Sequence, residues 1–304
     1  MNKKLHIFFL FLTALIWGTA FVAQRMGAEH VEAFTYLAWR SWAAVLFLAP
    51  LVRVMDHFSD RRGIDNRRPK TVSDRRLLIV GGCLSGFMLW AACAAQHIGI
   101  AHTTASKAGF ITALYVVIVP LLSIFIRKRP SVQIWACVAL ALIGLYLLCM
   151  KTASFRLEYG DAWELACAFF FAVEILLVSY YCSRVDPVRL SFVQFLVVAI
   201  LSTILMLLME HPTVDGLRLA LPSILYAGIF SSGIAFTLQI IGQVGVNATV
   251  ASLVMSLESV FSALSGWLIL HERMSPRELS GAALMFLAIA LSQIELPSRR
   301  RQAL

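Results

Sequence analysis

Long apolar runs recur along the whole chain, and each is long enough to cross a lipid bilayer as an α-helix. Such a helix needs about 20 mostly apolar residues, because the hydrocarbon core of a bilayer is about 30 Å thick. Ten runs of about 18 to 24 residues meet this requirement. They cover roughly residues 5–26, 34–54, 77–98, 103–126, 132–150, 161–182, 187–209, 219–242, 247–270 and 276–294. The sequence therefore predicts an all-α polytopic membrane protein with ten transmembrane helices.

The composition agrees with a chain that lies mostly in lipid. Hydrophobic residues make up 60% of the sequence and charged residues 14%, whereas soluble domains are about one-quarter charged. The apolar runs show no strict alternation of apolar and polar residues, which strands of a membrane barrel would need. Helices satisfy their backbone hydrogen bonds internally, so helices are expected to cross the bilayer.

The basic residues predict which side of the membrane each loop faces, because cytoplasmic loops carry an excess of lysine and arginine. With a cytoplasmic N-terminus, the loop 55–76, Arg127–Arg129 and Arg299–Arg301 all lie on the cytoplasmic side. We therefore expect both termini in the cytoplasm. The net charge of +9 then reflects topology, and no nucleic acid partner is expected.

The two halves of the sequence resemble each other. Ser106–Ser131 aligns without gaps on Val250–Ser275, at an offset of 144 residues, and each segment leads from a helix into a short charged loop that ends in serine. This predicts a five-helix repeat at 1–150, a second at 151–295 and a basic cytoplasmic tail at 296–304. Because five is an odd number, the second repeat would be inverted relative to the first. Two inverted repeats are typical of alternating-access transporters.

Three stretches of the sequence resemble a known family. They are LTALIWGTAFVAQR in the first run, TTASKAGFITALYVVIVPLLSIFIRKRPS across the fourth, and ASLVMSLESVFSALSGWLILHERMSPRELSGAALMFLAIAL across the last two. Together they resemble the EamA family of the drug/metabolite transporter superfamily over nearly the whole chain. The resemblance implies an inner-membrane carrier with ten helices, often an exporter of amino acids, other metabolites or toxic compounds. Ser259 stands where the family commonly has proline, so we expect a straighter ninth helix.

Ionisable side chains inside the predicted helices are the first candidates for a functional site, because their burial in a membrane is costly. Glu174, which shares a face of the sixth run with Glu164, and Glu258 in the ninth run lie far from both interfaces. Each could bind a cationic group or a coupling proton, or could simply bond to a neighbouring side chain. Arg40 could bind a substrate carboxylate or pair with one of these glutamates. Lys107 either reaches the interface or leans toward a cavity.

Other polar and aromatic positions extend the set of candidates. Trp17 and Gln24 share one face of the first run and could line a cavity for a small amphipathic solute, although ordinary packing explains them equally well. Gln239 stands in the second half where Gln96 stands in the first. Pro120 removes a backbone hydrogen bond from the fourth helix and is expected to kink it.

The motifs of common enzymes and of ATP-driven pumps are missing from the sequence. There is no His-Glu-x-x-His, Gly-x-Ser-x-Gly or phosphate-binding Gly-x-x-x-x-Gly-Lys-Ser/Thr pattern, and the six cysteines form no Cys-x-x-Cys pair. We therefore expect no catalytic residue, no cofactor and no metal, with a proton as the candidate for coupling. The favoured function is a secondary transporter of a small-molecule substrate, and the alternative is a non-transporting membrane sensor or scaffold. The other expected partner is the lipid bilayer, and a homo-oligomer is left open.

Overall fold

The computed structural model describes residues 2–62, 69–100, 102, 105–126, 130–150, 159–269 and 274–294. Within these ranges, all regular secondary structure is helical. The α-helices are α1 Lys3–Ala28, α2 Ala33–Arg62, α3 Val72–Ile100, α4 Ala105–Thr112, α5 Tyr115–Phe125, α6 Val132–Cys149, α7 Tyr159–Tyr181, α8 Pro187–Met209, α9 Val214–Tyr226, α10 Phe236–Gln243, α11 Ala248–Met255, α12 Glu258–Ile269 and α13 Pro276–Gln293. A π-helix, Ala227–Ala235, joins α9 to α10.

The described helices confirm that the chain is an all-helical, multi-pass membrane protein. Nine helical stretches of the described ranges are long and apolar enough to cross a membrane. The last helix, α13, is not among these nine stretches. It has 18 residues, as α6 does, but polar residues at its two ends lower its mean hydropathy. The basic residues Arg127–Arg129 and the predicted tail 296–304 lie outside the described residues.

Polar residues in the loops determine where several helices begin. Asp186 accepts a hydrogen bond from the backbone N–H of Arg189 and caps α8, whose first residue is Pro187. Ser275 and Glu278 form a reciprocal capping box at the start of α13. Such side chains satisfy backbone donors that have no partner inside the helix. These helix boundaries therefore follow from local sequence signals.

The two halves of the chain pack against each other through pairs of helices. α3 lies along α7 and α8, α2 lies along α8, α6 along α13 and α1 along α12. α6 and α13 approach closely at two glycines, since a Cβ atom on Gly144 would lie 2.7 Å from the carbonyl oxygen of Gly281. Small residues permit this kind of contact between membrane helices. Each of these pairs joins a helix of the first half to a helix of the second.

Two spans are interrupted at corresponding places in the two halves. In the first half α4 ends at Thr112 and α5 begins at Tyr115, and in the second α11 ends at Met255 and α12 begins at Glu258. The two breaks are 143 residues apart, one residue fewer than the offset of the sequence alignment. Interrupted membrane helices at matching positions of two repeats are a frequent feature of transporter binding sites.

The breaks lie at positions that the sequence did not indicate, and the second of them corrects an expectation. The fourth span is broken at Ala113 and Leu114, whereas α5 continues through Pro120. The ninth span is not a straight continuous helix, although Ser259 replaces the usual proline, because it breaks at Ser256 and Leu257. The hydroxyl of Ser256 donates to the carbonyl of Leu253 at 2.8 Å. A serine hydroxyl that bonds back to its own helix competes with the regular backbone bonds and bends the helix.

A buried carboxylate joins the end of α8 to the start of α2. Glu210 accepts hydrogen bonds from the backbone N–H groups of Phe34 and Thr35, at 2.7 and 2.6 Å, and from the hydroxyl of Thr35 at 2.7 Å. The first N–H groups of a helix have no partner inside the helix and favour a negative charge nearby. Glu210 therefore fixes the start of α2, the helix that carries Arg40.

Candidate functional site

A cavity lies between the two halves of the chain. The empty space between its walls is about 570 Å³, its opening included. Its wall is built by residues of α1–α5 from the first half and of α7, the π-helix, α10 and α12 from the second. The candidates from the sequence that line it are Trp17, Gln24, Arg40, Glu174, Gln239 and Glu258. The fold thus brings into one cavity six side chains that are far apart in the sequence.

Glu258 is positioned by the two interrupted spans. It is the first residue of α12, and its carboxylate Oε1 accepts a hydrogen bond of 2.9 Å from the hydroxyl of Tyr115, the first residue of α5. The exposed fractions of the two residues are 8% and 3%. The two breaks therefore meet at the wall of the cavity. Tyr115 was missed from the sequence, because Ala113 and Leu114 at the break carry no glycine or proline signal.

Glu174 is held by two amides from other helices. Its Oε1 accepts a hydrogen bond of 2.8 Å from Nε2 of Gln194 on α8, and its Oε2 accepts one of 3.0 Å from Nε2 of Gln239 on α10. All three side chains are buried. Gln194 was not a candidate from the sequence, since a single amide in an apolar run gives no sign of its partner. Among the described residues, Glu174 forms no ion pair.

Arg40 lies at the cavity but does not pair with either glutamate. Its Nε donates to the hydroxyl of Ser232 at 3.1 Å, and its Nη1 donates to Oε1 of Gln24 at 3.0 Å. No carboxylate of the described residues forms an ion pair with this guanidinium, so the pairing with Glu174 or Glu258 is not found. A guanidinium has five N–H donors, and these two contacts leave donors for an anionic group of a solute.

The π-helix shapes the wall next to Arg40. Its wider turn, with hydrogen bonds five residues apart, is rare and often marks functional sites. A Cβ atom on Gly228 would lie 2.7 Å from the carbonyl oxygen of Arg40, so only glycine permits this approach to α2. The same π-helix contributes Ser231 to the cavity and Ser232 to the guanidinium.

Aromatic side chains form the apolar part of the wall. The ring centroids of Trp17 and Phe236 are 4.6 Å apart, and those of Phe236 and Phe195 are 5.2 Å apart with edge-to-face geometry. Phe21 and Phe171 also line the cavity. A mostly apolar pocket with a few polar groups is the usual form of a site for a small molecule.

Arg40 and Glu174 are separated along the bundle. Arg40 lies about two turns after the start of α2, and Glu174 lies about two turns before the end of α7. An ion pair between Asp56 and Arg189 joins the end of α2 to the start of α8, directly after α7. The start of α2 and the end of α7 therefore lie at opposite ends of the bundle, so the guanidinium of Arg40 and the carboxylate of Glu174 are displaced toward opposite ends of the cavity.

Two ionisable candidates remain. The side chain of Lys107 lies outside the described part of the chain, which includes only its backbone in α4. Glu164 is fully buried on α7, where its Oε2 accepts a hydrogen bond of 2.6 Å from the hydroxyl of Thr112. Glu164 is not among the residues that line the cavity.

Comparisons with known proteins agree with the fold. A curated protein of Archaeoglobus fulgidus, named as an uncharacterized transporter, is 28% identical over 288 residues, which cover 94% of this chain and 85% of that protein. A second uncharacterized transporter, from Methanothermobacter thermautotrophicus, is 26% identical over 251 residues, covering 81% of this chain and 72% of the relative. One solved crystal structure is similar with a TM-score of 0.76 at 18% identity, covering 96% of this chain and 97% of the other, a likeness of fold.

The family comparison covers both halves of the chain. The profile of the EamA-like transporter family matches residues 4–150 and, a second time, residues 158–293. The two matches leave only a few residues between them and at the two ends. The resemblance seen in the sequence is therefore confirmed, and the chain belongs to the EamA-like transporter family as a multi-pass membrane transporter built from two repeats.

Proposed function

We propose that this transporter exports small metabolites, amino acids or toxic compounds by alternating access. In this mechanism, two inverted five-helix repeats rock about the cavity and expose it to one side of the membrane at a time. The observation that carries the proposal is the meeting of the two interrupted spans at the cavity, where Tyr115 bonds to Glu258. A contact between the two halves at the site itself can be broken or remade as solute enters and leaves.

The charge distribution of the cavity favours a solute with two polar ends. The guanidinium of Arg40 suits a carboxylate, because its planar fork can donate two parallel hydrogen bonds. The carboxylates of Glu258 and Glu174 suit an amino group or another cationic or hydrogen-bond-donating group. The rings of Trp17 and Phe236, which also line the cavity, suit an apolar body.

Proton coupling is the proposed driving force, with Glu258 or Glu174 as the titrating group. The partner of Glu258 is compatible with both protonation states, because the hydroxyl of Tyr115 can donate to a carboxylate and accept from a carboxylic acid. The partners of Glu174 present two amide N–H groups, which donate to a carboxylate, and one of these amides must turn its Oε1 toward Glu174 before it can accept from a carboxylic acid. We therefore assign the coupling proton to Glu258.

The proposed orientation has both termini in the cytoplasm and the chain in the cell (inner) membrane. This follows from the excess of basic residues in the loops on that side. Single cysteines at Glu32 and Thr71, exposed positions before α2 and before α3, test it in a cysteine-free chain. In intact cells, an impermeant thiol reagent should label Glu32→Cys but not Thr71→Cys, and the opposite result would reverse the orientation.

Transport is tested with purified protein in liposomes that carry a pH gradient. A panel of amino acids and other metabolites is offered, and flux that depends on the gradient is expected for at least one solute. Glu258→Gln should abolish the dependence on the gradient, while Glu164→Gln, a buried glutamate outside the cavity lining, should keep it. If no solute of the panel moves, the transport proposal fails. If Glu258→Gln retains the full dependence on pH, the assignment of the proton fails.

A further inference from the structure

We propose that Glu174, Gln194 and Gln239 form a binding site for a monovalent metal cation, with Na⁺ as its ligand. The three side chains come from α7, α8 and α10, and their exposed fractions are 1%, 0% and 1%. Binding of Na⁺ at this site does not require a transported solute. A role for Na⁺ in driving transport, in contrast, rests on the proposed function.

The hydrogen bonds around Glu174 fit an ionised carboxylate. Each of its oxygens accepts from an amide Nε2, at 2.8 Å from Gln194 and 3.0 Å from Gln239. An ionised carboxylate only accepts hydrogen bonds, whereas a protonated one must also donate. These hydrogen bonds favour the charged form against the cost of burying it, and a buried charge needs a partner of opposite sign.

No protein cation supplies that partner among the residues that the structure describes. The guanidinium that shares the cavity, Arg40, bonds to Ser232 and Gln24 instead. Glu174 thus contributes one negative charge that is not neutralised by a described side chain. A monovalent cation would balance this charge, while a divalent ion would leave a buried excess of positive charge.

Orphaned amide oxygens around the carboxylate supply the ligands. Because Gln194 and Gln239 turn their Nε2 atoms toward Glu174, their Oε1 atoms are buried without a hydrogen-bond partner among the described residues. Carboxylate and amide oxygens are hard ligands of the kind that alkali and alkaline-earth cations prefer. Leaving such oxygens buried and unpaired is costly. When both amides turn their Oε1 atoms toward Glu174, a bound cation takes the place of their N–H groups and removes this cost.

The surrounding contacts hold these ligands in place and leave a route to them. The hydroxyl of Thr237 donates to Ser191 at 2.9 Å and so ties α10 to α8 within one turn of both glutamines. Glu174 and Gln239 line the cavity. A cation that enters the cavity therefore reaches the carboxylate directly, and the π-helix that precedes α10 sets the face on which Gln239 lies.

The test measures binding of radiolabelled Na⁺ to the purified protein, with choline chloride to keep the ionic strength constant and no solute present. Saturable binding to the wild-type chain is expected. Glu174→Gln should lose it, because the amide carries no charge, whereas Glu164→Gln, equally buried on the same helix, should keep it. Gln239→Met, which retains the length of the side chain but not its oxygen, should weaken Na⁺ binding roughly tenfold.

Thermal unfolding in Na⁺ and in choline provides a second readout and shows that each variant is folded. Na⁺ should raise the Tm of the wild type and of Glu164→Gln but not that of Glu174→Gln. If Glu174→Gln does not fold, the decision rests on Gln239→Met. The proposed site is wrong if the wild type, Glu174→Gln and Gln239→Met bind Na⁺ equally, or if none of them binds it. It is also wrong if the Tm changes with pH but is the same in Na⁺ and in choline.

The outcomes for the cation site and for the proposed function are separable. If the protein transports a solute but binds no Na⁺, the cation site is overturned and the proposed transport function stands. Saturable Na⁺ binding that is lost in Glu174→Gln, in a protein that moves no solute of the panel, supports the cation site and overturns the proposed transport.

Discussion

The hydroxyl of Tyr115 donates a hydrogen bond of 2.9 Å to the carboxylate of Glu258, and each of these residues is the first one after the break of an interrupted span. The contact joins α5 of the first repeat to α12 of the second at the wall of the cavity. A movement of one repeat against the other must stretch or break it. The pair therefore couples the state of the carboxylate to the arrangement of the two repeats.

Tyr115→Phe should uncouple this pair while it leaves the ring in place. A hydrogen bond to a charged group is worth about 1.5–3 kcal/mol, so we expect gradient-driven flux to fall about tenfold or more. Tyr146→Phe on α6, a half-exposed tyrosine outside the cavity lining, should retain wild-type flux. A Tyr115→Phe variant with wild-type flux would show that the hydroxyl does not couple the carboxylate to the two repeats.

Arg40→Lys tests whether the guanidinium recognises a carboxylate. Lysine keeps the positive charge but not the planar fork, and it cannot reproduce the contacts with Ser232 and Gln24. For a transported carboxylate, we expect KM to rise roughly tenfold, with less than a twofold change for the carboxamide analogue of the same solute. Arg218→Lys, at an exposed arginine, is the matched control. An equal loss for both solutes would assign Arg40 a purely structural role.

The length of the apolar runs was sufficient to predict the helices, because an apolar run of about 20 residues matches the thickness of a bilayer when it is helical. The charged candidates were found for a related reason. A glutamate in an apolar membrane segment is costly, so Glu174 and Glu258 are expected to have a function or a buried partner. The sequence could not show which partners they have. An amide such as Gln194 looks the same in a run of apolar residues whether it faces lipid, a helix or a carboxylate.

The breaks in the fourth and ninth spans also could not be predicted from the sequence. The gapless alignment at an offset of 144 residues pairs Glu258 with Leu114, and the structure shifts this correspondence by one residue to Tyr115. Pro120 was the visible signal, yet α5 accommodates it. Membrane helices tolerate proline when neighbouring groups satisfy the freed carbonyl, so proline alone does not locate a break.

Glu210→Gln should destabilise the fold, although Glu210 is not among the residues that line the cavity. The carboxylate accepts three short hydrogen bonds at the start of α2, and the neutral amide offers one acceptor oxygen in place of two charged ones. We expect a loss of about 2 kcal/mol in the free energy of unfolding, measured as a lower Tm in detergent. Glu29→Gln, at an exposed glutamate, should leave the Tm unchanged. Equal Tm values for the two variants would contradict the capping role.

The contact between α6 and α13 makes the sharpest prediction on packing. A Cβ atom on Gly144 would lie 2.7 Å from the carbonyl oxygen of Gly281, which belongs to the backbone and cannot move without its helix. Gly144→Ala must therefore separate the two helices, and overpacking of this kind costs about 1–3 kcal/mol. We expect a lower Tm for this variant in detergent.

Gly109→Ala is the matched control for Gly144→Ala. A Cβ atom on Gly109, which lies in α4, would meet no atom of the described residues within 4 Å. Alanine favours a helix over glycine by about 1 kcal/mol, so this variant should keep or raise the Tm. The same substitution is thus expected to change stability in opposite directions at the two glycines. A Gly144→Ala chain as stable as wild type would show that α6 and α13 do not pack closely in the membrane, and that the interface between the repeats has another form there.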